Sequence, residues 1–171
     1  MSNIETAGLI SEAPEYYLSP MTEHDLLEVV EIEETCGLSR WGWDAYYAEL
    51  VRNKNAVMIV AHAQLPDAAA GERVIGFIAA RLVADELHIN NVAVRPKHRR
   101  AGLGRELLQS ALETGARLGA RTTFLEVRAG NVPAQALYAR CGFRLTGRRP
   151  GYYTDPPEDA FVMSLSIRSS A

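Results

Sequence analysis

Two periodicities of hydrophobic positions alternate along the chain and predict its secondary structure. Short runs that contain β-branched, aromatic or other apolar residues predict seven strands, at 16–21, 56–63, 74–83, 87–94, 122–128, 143–149 and 159–167. Apolar residues spaced three and four apart predict four helices, at 22–36, 43–51, 102–118 and 132–140. Segments rich in Pro, Gly and Asp predict loops at 65–72 and 150–157.

The order of these elements predicts an α/β domain of the mixed α+β type. Strands that follow one another directly favour antiparallel hairpins, whereas strands separated by a helix favour crossover connections. We therefore expect a central mixed, mostly antiparallel sheet of seven strands with helices on both faces. We expect residues 15–171 to form a single domain, with residues 1–14 as an N-terminal arm.

Amino-acid composition indicates the general class of protein but not the reaction that it catalyses. The 171 residues include 47% hydrophobic and 23% charged positions, as in a soluble globular domain. The net charge of −3 argues against broad nucleic-acid binding, and no apolar run approaches the length of a membrane span. Two distant cysteines and an N-terminus without signal-peptide features favour a cytoplasmic protein. The spacing of the four histidines predicts no metal site.

The stretch 86–109 is the first candidate for binding chemistry. A predicted strand leads into a basic loop and then into the start of a helix near Gly102. The N–H groups at a helix start attract an anion, and Gly102 and Gly104 let a phosphate approach the backbone. Neither the G-x-G-x-x-G fingerprint nor a Walker loop fits this stretch. The sequence is R-x-x-G-x-G instead, from Arg99 to Gly104.

This loop and several motifs downstream resemble those of a known superfamily. The R-x-x-G-x-G loop after an N-N-V-A-V strand is similar to the acyl-CoA pyrophosphate loop of GCN5-related N-acetyltransferases (GNAT). The Leu-Glu-Val-Arg strand at 125–128, Asn131 and the A-x-x-L-Y-x-x-x-G-F helix end resemble the second acyl-CoA motif of that superfamily. Within it, R-R-x-x-Y-Y at 148–153 and E-D-A-x-x-M at 158–163 resemble ribosomal-protein-alanine N-acetyltransferases of the RimI type. The resemblance covers roughly 18–167 and implies a GNAT-like fold, although 38–43 matches only loosely.

The resemblance also implies acetyl-CoA as the cosubstrate and suggests which residues hold it. The backbone of Val92, Ala93 and Val94 would pair with the pantetheine amides, and the following strand would have to splay away to leave room. Asn131 would cap its helix and also bond to coenzyme A. The residues expected at the pyrophosphate are Arg99, Arg100, Ala101, Gly102, Leu103, Gly104 and Arg105.

Two side chains are candidates for proton transfer in an acyl transfer from a thioester to an amine. Glu126 faces away from Leu125 and Val127 in its strand, so a poorly solvated carboxylate could act as a base. The alternative is a solvent-facing Glu126 or one paired with Arg128. Tyr138 could protonate a leaving thiolate, and the alternative is a core tyrosine that packs on its neighbours. The resemblance makes Glu126 the general base and Tyr138 the general acid.

The acceptor site is less sharply defined by the sequence. Trp41, Tyr152 and Tyr153 are candidate substrate-binding residues, with packing in the core as the alternative, and both tyrosines fall in the predicted loop 150–157. Acidic residues near that loop, namely Asp155, Glu158 and Asp159, would suit a cationic acceptor, although they could equally be a solvated acidic loop. Cys141 has no paired base, so we expect direct transfer without an acyl-enzyme.

The choice of acceptor rests partly on the cost of a neutral amine. At pH 7 this cost is roughly 1.4 kcal/mol for an α-amine and nearly 5 kcal/mol for lysine, from their ordinary pKa values. One carboxylate therefore suits an α-amine better, and the resemblance points to a protein N-terminus, typically alanine on a small-subunit ribosomal protein. The alternatives are a small amine such as a polyamine or an antibiotic, and a non-catalytic acyl-CoA sensor. Either a monomer or a homodimer is compatible with the sequence.

Overall fold

The computed structural model describes residues 15–67 and 71–167, so the predicted N-terminal arm lies outside the described residues. The strands are β1 (Tyr16–Pro20), β2 (Ala56–Asp67), β3 (Glu72–Val83), β4 (Glu86–Val94), β5 (Thr122–Arg128), β6 (Arg144–Thr154) and β7 (Pro157–Ser166). The α-helices are α1 (Leu26–Thr35), α2 (Gly42–Arg52), α3 (Leu103–Arg117) and α4 (Val132–Arg140). Single 3-10 turns precede α1 and α3, at Glu23–Asp25 and Pro96–His98. No helix within these ranges combines the length and apolar character needed to cross a membrane.

The strands form one seven-stranded sheet in the order β1-β2-β3-β4-β5-β7-β6. Strands β4 and β5 run parallel, and every other neighbouring pair is antiparallel. The parallel pair requires a crossover, which α3 supplies. The expected mixed, mostly antiparallel sheet is therefore confirmed.

Helices cover both faces of this sheet and bury two hydrophobic clusters. On one face, α3 and α4 pack on the sheet through residues that include Leu107 and Tyr138. On the other face, α1 and α2 contribute residues such as Ile32 and Tyr46. Because helices cover both faces, each side chain of the sheet points towards one cluster or the other. Alternation along a strand therefore predicts the face on which a functional side chain lies.

Two of the predicted loops are shorter in the structure. Strand β2 continues to Asp67 and β3 begins at Glu72, so strands occupy part of the predicted loop 65–72. The predicted loop 150–157 is reduced to a turn at 155–156, because β6 continues to Thr154 and β7 begins at Pro157. The pairing of β6 with β7 absorbs Pro150 and Gly151 in a register shift between Arg149 and Tyr153. Tyr152 and Tyr153 therefore lie in β6 and not in a loop.

Strands β4 and β5 separate after a short paired region. Their register runs from Glu86 with Thr122 to Ile89 with Leu125, although both strands continue beyond it. Opposite β3, the register of β4 also shifts at Asn90, a β-bulge of the kind that bends a strand. The expectation that the strand after β4 splays away is confirmed, and the gap exposes one edge of β4.

Candidate active site

A cavity of about 520 Å³ lies at the gap between β4 and β5. Its walls come from the free edge of β4, from β5 with α4, and from the connection between α1 and α2. Six of the candidate residues from the sequence line it, namely Val92, Glu126, Asn131, Tyr138, Tyr153 and Glu158. The remaining candidates lie outside the cavity wall.

Glu126 and Tyr138 reach this cavity from opposite faces of the sheet. Along β5, burial alternates, with Leu125 and Val127 buried in the cluster under α3 and α4. The Glu126 side chain points to the other face, as alternation predicts. Tyr138 belongs to the same cluster as Leu125. The gap therefore has a carboxylate on one side of the sheet and a phenol on the other.

The Glu126 carboxylate has a cationic neighbour in β6. Its Oε1 lies 3.5 Å from Nη2 of Arg149, and 26% of its side chain is exposed. The pairing with Arg128 that the sequence left open is wrong, because Arg128 pairs with Glu158 at 3.2 Å. A carboxylate beside one guanidinium and open to a cavity can still accept a proton from a group that enters there.

The Tyr138 phenol is held in its protonated form. The residue is 7% exposed, and burial raises the pKa of Tyr138 above its usual value, with further contributions from Tyr153 and Cys141. Its ring also lies 6.0 Å from that of Phe143, so the packing role is present as well. A phenol in this state can act as a proton donor at neutral pH.

Asn131 and Cys141 flank Tyr138 at the two ends of α4. The Asn131 side chain accepts a hydrogen bond from the Ala134 N–H at 3.2 Å, which confirms the predicted N-cap. Burial raises the pKa of the Cys141 thiol, which the cations of Arg105 and Arg140 partly oppose. A thiol that keeps its proton is a poor nucleophile.

The free edge of β4 presents backbone groups to the gap. The Arg95 N–H donates to the Ile75 carbonyl of β3 at 2.9 Å, so by alternation the N–H groups of Val92 and Val94 point away from β3. The side chains of Val92 and Val94 pack towards α3, whereas Ala93 packs in the cluster with α1 and α2. Donors for an extended ligand are therefore available along this edge.

Residues 99–105, which comprise the loop after β4 and the start of α3, do not line the cavity wall. Gly102 has φ +86° immediately before α3, a left-handed conformation that suits glycine. Arg100, Ala101, Gly102 and Arg105 are exposed. Leu103 is buried in the core, so it could meet a ligand only through its backbone. The loop thus presents backbone and cationic groups at the end of the gap.

Arg99 makes the contacts that join this loop to the gap. Its Nε donates to the Val94 carbonyl at 2.9 Å, and its Nη2 lies 3.2 Å from Cys36 Sγ. Cys36 itself lines the cavity. The guanidinium therefore sits where the strand edge meets the loop.

The three aromatic candidates for acceptor binding differ in position. Tyr153 lines the cavity, and the Arg128 guanidinium lies 4.1 Å from its ring centre. Burial raises the pKa of Tyr153 to about 12. Tyr152 is outside the cavity wall and contacts Tyr153 edge-on at 5.1 Å. Trp41 packs on Tyr46 at 5.2 Å and is also outside the wall.

Two of the acidic residues near the hairpin are engaged by neighbours. Glu158 accepts hydrogen bonds from Arg128 and from the Gly130 N–H. Asp159 binds Arg148 and the Gly151 N–H, and these contacts lower the pKa of Asp159. Only Glu158 of this pair lines the cavity. In the part of the chain that the structure describes, no three His, Cys, Asp or Glu side chains cluster as metal ligands would.

Sequence reasoning missed one wall of the cavity. Residues 36–39, which join α1 to α2, line it together with Asn90 and Asn91 of β4. Gly37, with φ +64°, was recognisable as the end of α1. No local pattern, however, indicates that this turn lies beside β4.

Comparisons with known proteins agree on a single family. A profile of the acetyltransferase (GNAT) family matches residues 26–143. A Bacillus subtilis (strain 168) protein, named putative ribosomal protein bS18-alanine N-acetyltransferase, is 36% identical over 147 residues, which cover 86% of this chain and 93% of that protein.

Solved structures of other proteins share the fold of this chain. The ribosomal-protein-S18-alanine N-acetyltransferase from Escherichia coli has a TM-score of 0.76 at 29% identity, covering 91% of this chain and 96% of that chain. NAA60 from Arabidopsis thaliana, solved with a bisubstrate analogue, has a TM-score of 0.81 at 21% identity, covering 91% and 99%. The second likeness concerns the fold alone.

Proposed function

The chain belongs to the acetyltransferase (GNAT) family and is an N-acetyltransferase, and on this premise we propose that it acetylates a protein N-terminus. The donor is acetyl-CoA, and the acceptor is the α-amine of an N-terminal alanine on a small-subunit ribosomal protein. The observation that carries the proposal is the gap between β4 and β5, which Glu126 and Tyr138 line from opposite faces of the sheet.

The free edge of β4 and the loop after it suit the two ends of the donor. The N–H groups of Val92 and Val94 face the gap, as an extended pantetheine with its amides requires. Residues 99–105 offer a glycine at the start of α3 and cationic side chains for the pyrophosphate. Acetyl-CoA supplies an activated thioester, and an N–H of β4 polarises its carbonyl.

Glu126 and Tyr138 then handle the two proton transfers. An ammonium that enters on the face of α1 and α2 gives its proton to the Glu126 carboxylate, directly or through a water. On the opposite side of the sheet, the Tyr138 hydroxyl gives its proton to the departing thiolate sulfur. The amine nitrogen bonds to the acetyl carbon as the carbon–sulfur bond breaks, the second proton of this nitrogen returns Tyr138 to its hydroxyl form, and Glu126 releases its proton to solvent. No group on the enzyme needs to carry the acetyl.

The α-amine of a protein fits this site better than a lysine. Its ordinary pKa of about 7.7–8 leaves a sizeable neutral fraction at pH 7, so a single carboxylate is sufficient. Two relatives support the choice of protein, since their names specify alanine of ribosomal protein S18 or bS18 as the acceptor.

Intact-mass analysis of peptides incubated with acetyl-CoA tests the proposal. We expect one acetyl group on a peptide that begins with alanine and carries an internal lysine. Fragmentation should place this group on the α-amine. The matched control is the same peptide with a blocked N-terminus, which should gain nothing. Acetylation of a polyamine with no gain on any peptide would overturn the proposal in favour of a small-amine acceptor.

A further inference from the structure

Glu33 of α1 is a buried carboxylate that has no part in the chemistry above. Its exposed fraction is 0%. Its Oε1 accepts a hydrogen bond from the Trp41 N–H, and its Oε2 accepts one from the Gly42 N–H at 3.2 Å. A buried carboxylate is costly unless such donors satisfy it. The two backbone donors satisfy the buried Glu33 carboxylate. The role of Glu33 can therefore be inferred from the segment that it holds.

Glu33 holds both the middle and the end of the connection between α1 and α2. Its backbone carbonyl accepts from the Leu38 N–H at 3.1 Å, while its carboxylate holds the first residues of α2. Residues 36–39, which line the cavity, lie within the loop that these contacts close. Glu33 thus holds the segment that forms this cavity wall from both sides, and Arg99 adds a contact at Cys36.

A second set of contacts joins this wall to β4. The Trp41 ring packs on Tyr46 at 5.2 Å, and the Tyr46 hydroxyl accepts a hydrogen bond from Asn91 Nδ2 at 2.8 Å. Asn91 lines the cavity next to the bulge at Asn90. Trp41 is therefore linked to β4 through the Asn91 side chain, on the face of α1 and α2, and not through Val92–Val94.

The wall formed by residues 36–39 belongs to the face of the sheet from which the acceptor would enter. Helices α1 and α2 pack on the face to which Glu126 points, opposite the cluster that contains Tyr138. We propose that Glu33 is a positioning residue that sets the shape of the acceptor entrance by holding residues 36–39. This inference rests on the proposed function, because it needs an acceptor that approaches Glu126 from this face.

The variant Glu33→Gln separates this role from general stability. Glutamine has nearly the same size, but its amide nitrogen cannot accept a hydrogen bond from a backbone N–H. Either Trp41 or Gly42 then loses its partner and residues 36–39 loosen. We expect the KM for an alanine-initiated peptide to rise about tenfold, with the KM for acetyl-CoA changed less than about twofold.

Glu49→Gln is the matched control. Glu49 is also a buried carboxylate, at 9% exposure, but it pairs with Arg81 and Asn53 instead of holding residues 36–39. We expect it to lower the melting temperature without changing the KM for the peptide. An equal rise of the peptide KM in both variants, or no rise in Glu33→Gln, would overturn the inference.

Amide hydrogen exchange provides a readout that needs no acceptor. Exchange across residues 36–42 should be faster in Glu33→Gln than in the wild type and unchanged in Glu49→Gln. If the wild type acetylates no peptide, the proposed function fails, and this comparison decides the role of Glu33 alone. Unchanged exchange across residues 36–42 in Glu33→Gln would then refute it.

Discussion

Single residues at the gap differ in how firmly the protein holds them. Tyr138 is buried and packs on Phe143, so its hydroxyl has one defined place. Glu126 is partly exposed and lies beside Arg149, so its carboxylate can meet an incoming cation. This difference suits a fixed proton donor for the leaving group and an accessible base for the acceptor.

Removing the Tyr138 hydroxyl should slow transfer without unfolding the protein. Tyr138→Phe keeps the ring in its packed position but cannot protonate a thiolate. We expect kcat to fall about 100-fold, at the lower end of general acid contributions. Steady-state kinetics with saturating acetyl-CoA measure this. Tyr17→Phe, which changes an exposed tyrosine of β1, serves as the control and should keep full activity. Equal kcat in Tyr138→Phe and wild type would exclude Tyr138 as the acid.

The effect of removing the Glu126 carboxylate should depend on the fraction of the acceptor α-amine that is already neutral. We expect Glu126→Gln to lower kcat/KM for the peptide about 100-fold at pH 7. The deficit should narrow above about pH 8, because the free α-amine then loses its proton to solvent. Kinetics at both pH values measure it, with Glu113→Gln on the exposed side of α3 as the control. A deficit that is the same at every pH argues against a base role.

The pH dependence of the wild type should show no early alkaline loss. Burial raises the pKa of Tyr138 above the ordinary tyrosine value of about 10, so the phenol stays protonated through pH 9. We expect kcat/KM for the peptide to stay level from pH 7 to pH 9, because Glu126 removes the amine proton within the site and Tyr138 keeps its own proton. A decline centred below pH 9, after subtraction of enzyme-free hydrolysis, would contradict the assignment of Tyr138.

At the scale of elements, the path of β4 decides whether a donor can bind. Its bulge at Asn90 and its separation from β5 after Ile89 create the gap. The pairing of β4 with β3 is correspondingly close at Gly76, where a Cβ atom would lie 2.9 Å from the Ala93 carbonyl oxygen. That carbonyl is backbone and cannot move without shifting residues 92–94, which face the proposed donor site.

Gly76→Ala should therefore impair both stability and donor binding. We expect a loss of about 1–3 kcal/mol in the free energy of unfolding, as for other overpacked sites. We also expect a higher KM for acetyl-CoA, because β4 must shift. Urea unfolding and steady-state kinetics measure the two effects. Gly147→Ala in β6 is the control, since its Cβ would meet Val162 at an ordinary 3.6 Å. Equal behaviour of the two variants would refute this account of β4.

The scale of elements also shows what local sequence can and cannot specify. The bounds of β5 and α4 match the prediction, because alternation and the Asn131 cap are local signals. The hairpin of β6 and β7 differs, because pairing with a partner strand carries β6 past Pro150 and Gly151. For this reason local sequence predicts a loop at Tyr152 and Tyr153, whereas both lie in β6 and only Tyr153 reaches the cavity.

At the scale of the whole molecule, the site depends on contacts between distant parts of the chain. The motif residues around β4, β5 and α4 could be found from sequence, because each lies on an element with a clear period. The wall at residues 36–39 could not, since its place is set by the burial of Glu33 and by the Tyr46–Asn91 hydrogen bond, which spans 45 positions. Contacts between residues far apart in the chain produce no pattern in a short stretch of sequence, whereas helix and strand periodicity does.

The most direct test of the account is a crystal structure with coenzyme A joined through an acetyl bridge to an alanine-initiated peptide. We predict the pyrophosphate at Gly102–Gly104, the pantetheine along Val92–Val94, and the sulfur within hydrogen-bond distance of the Tyr138 hydroxyl. The peptide should leave on the Glu126 side, past residues 36–39. A peptide that leaves by another face of the sheet, or a sulfur remote from Tyr138, would contradict the account.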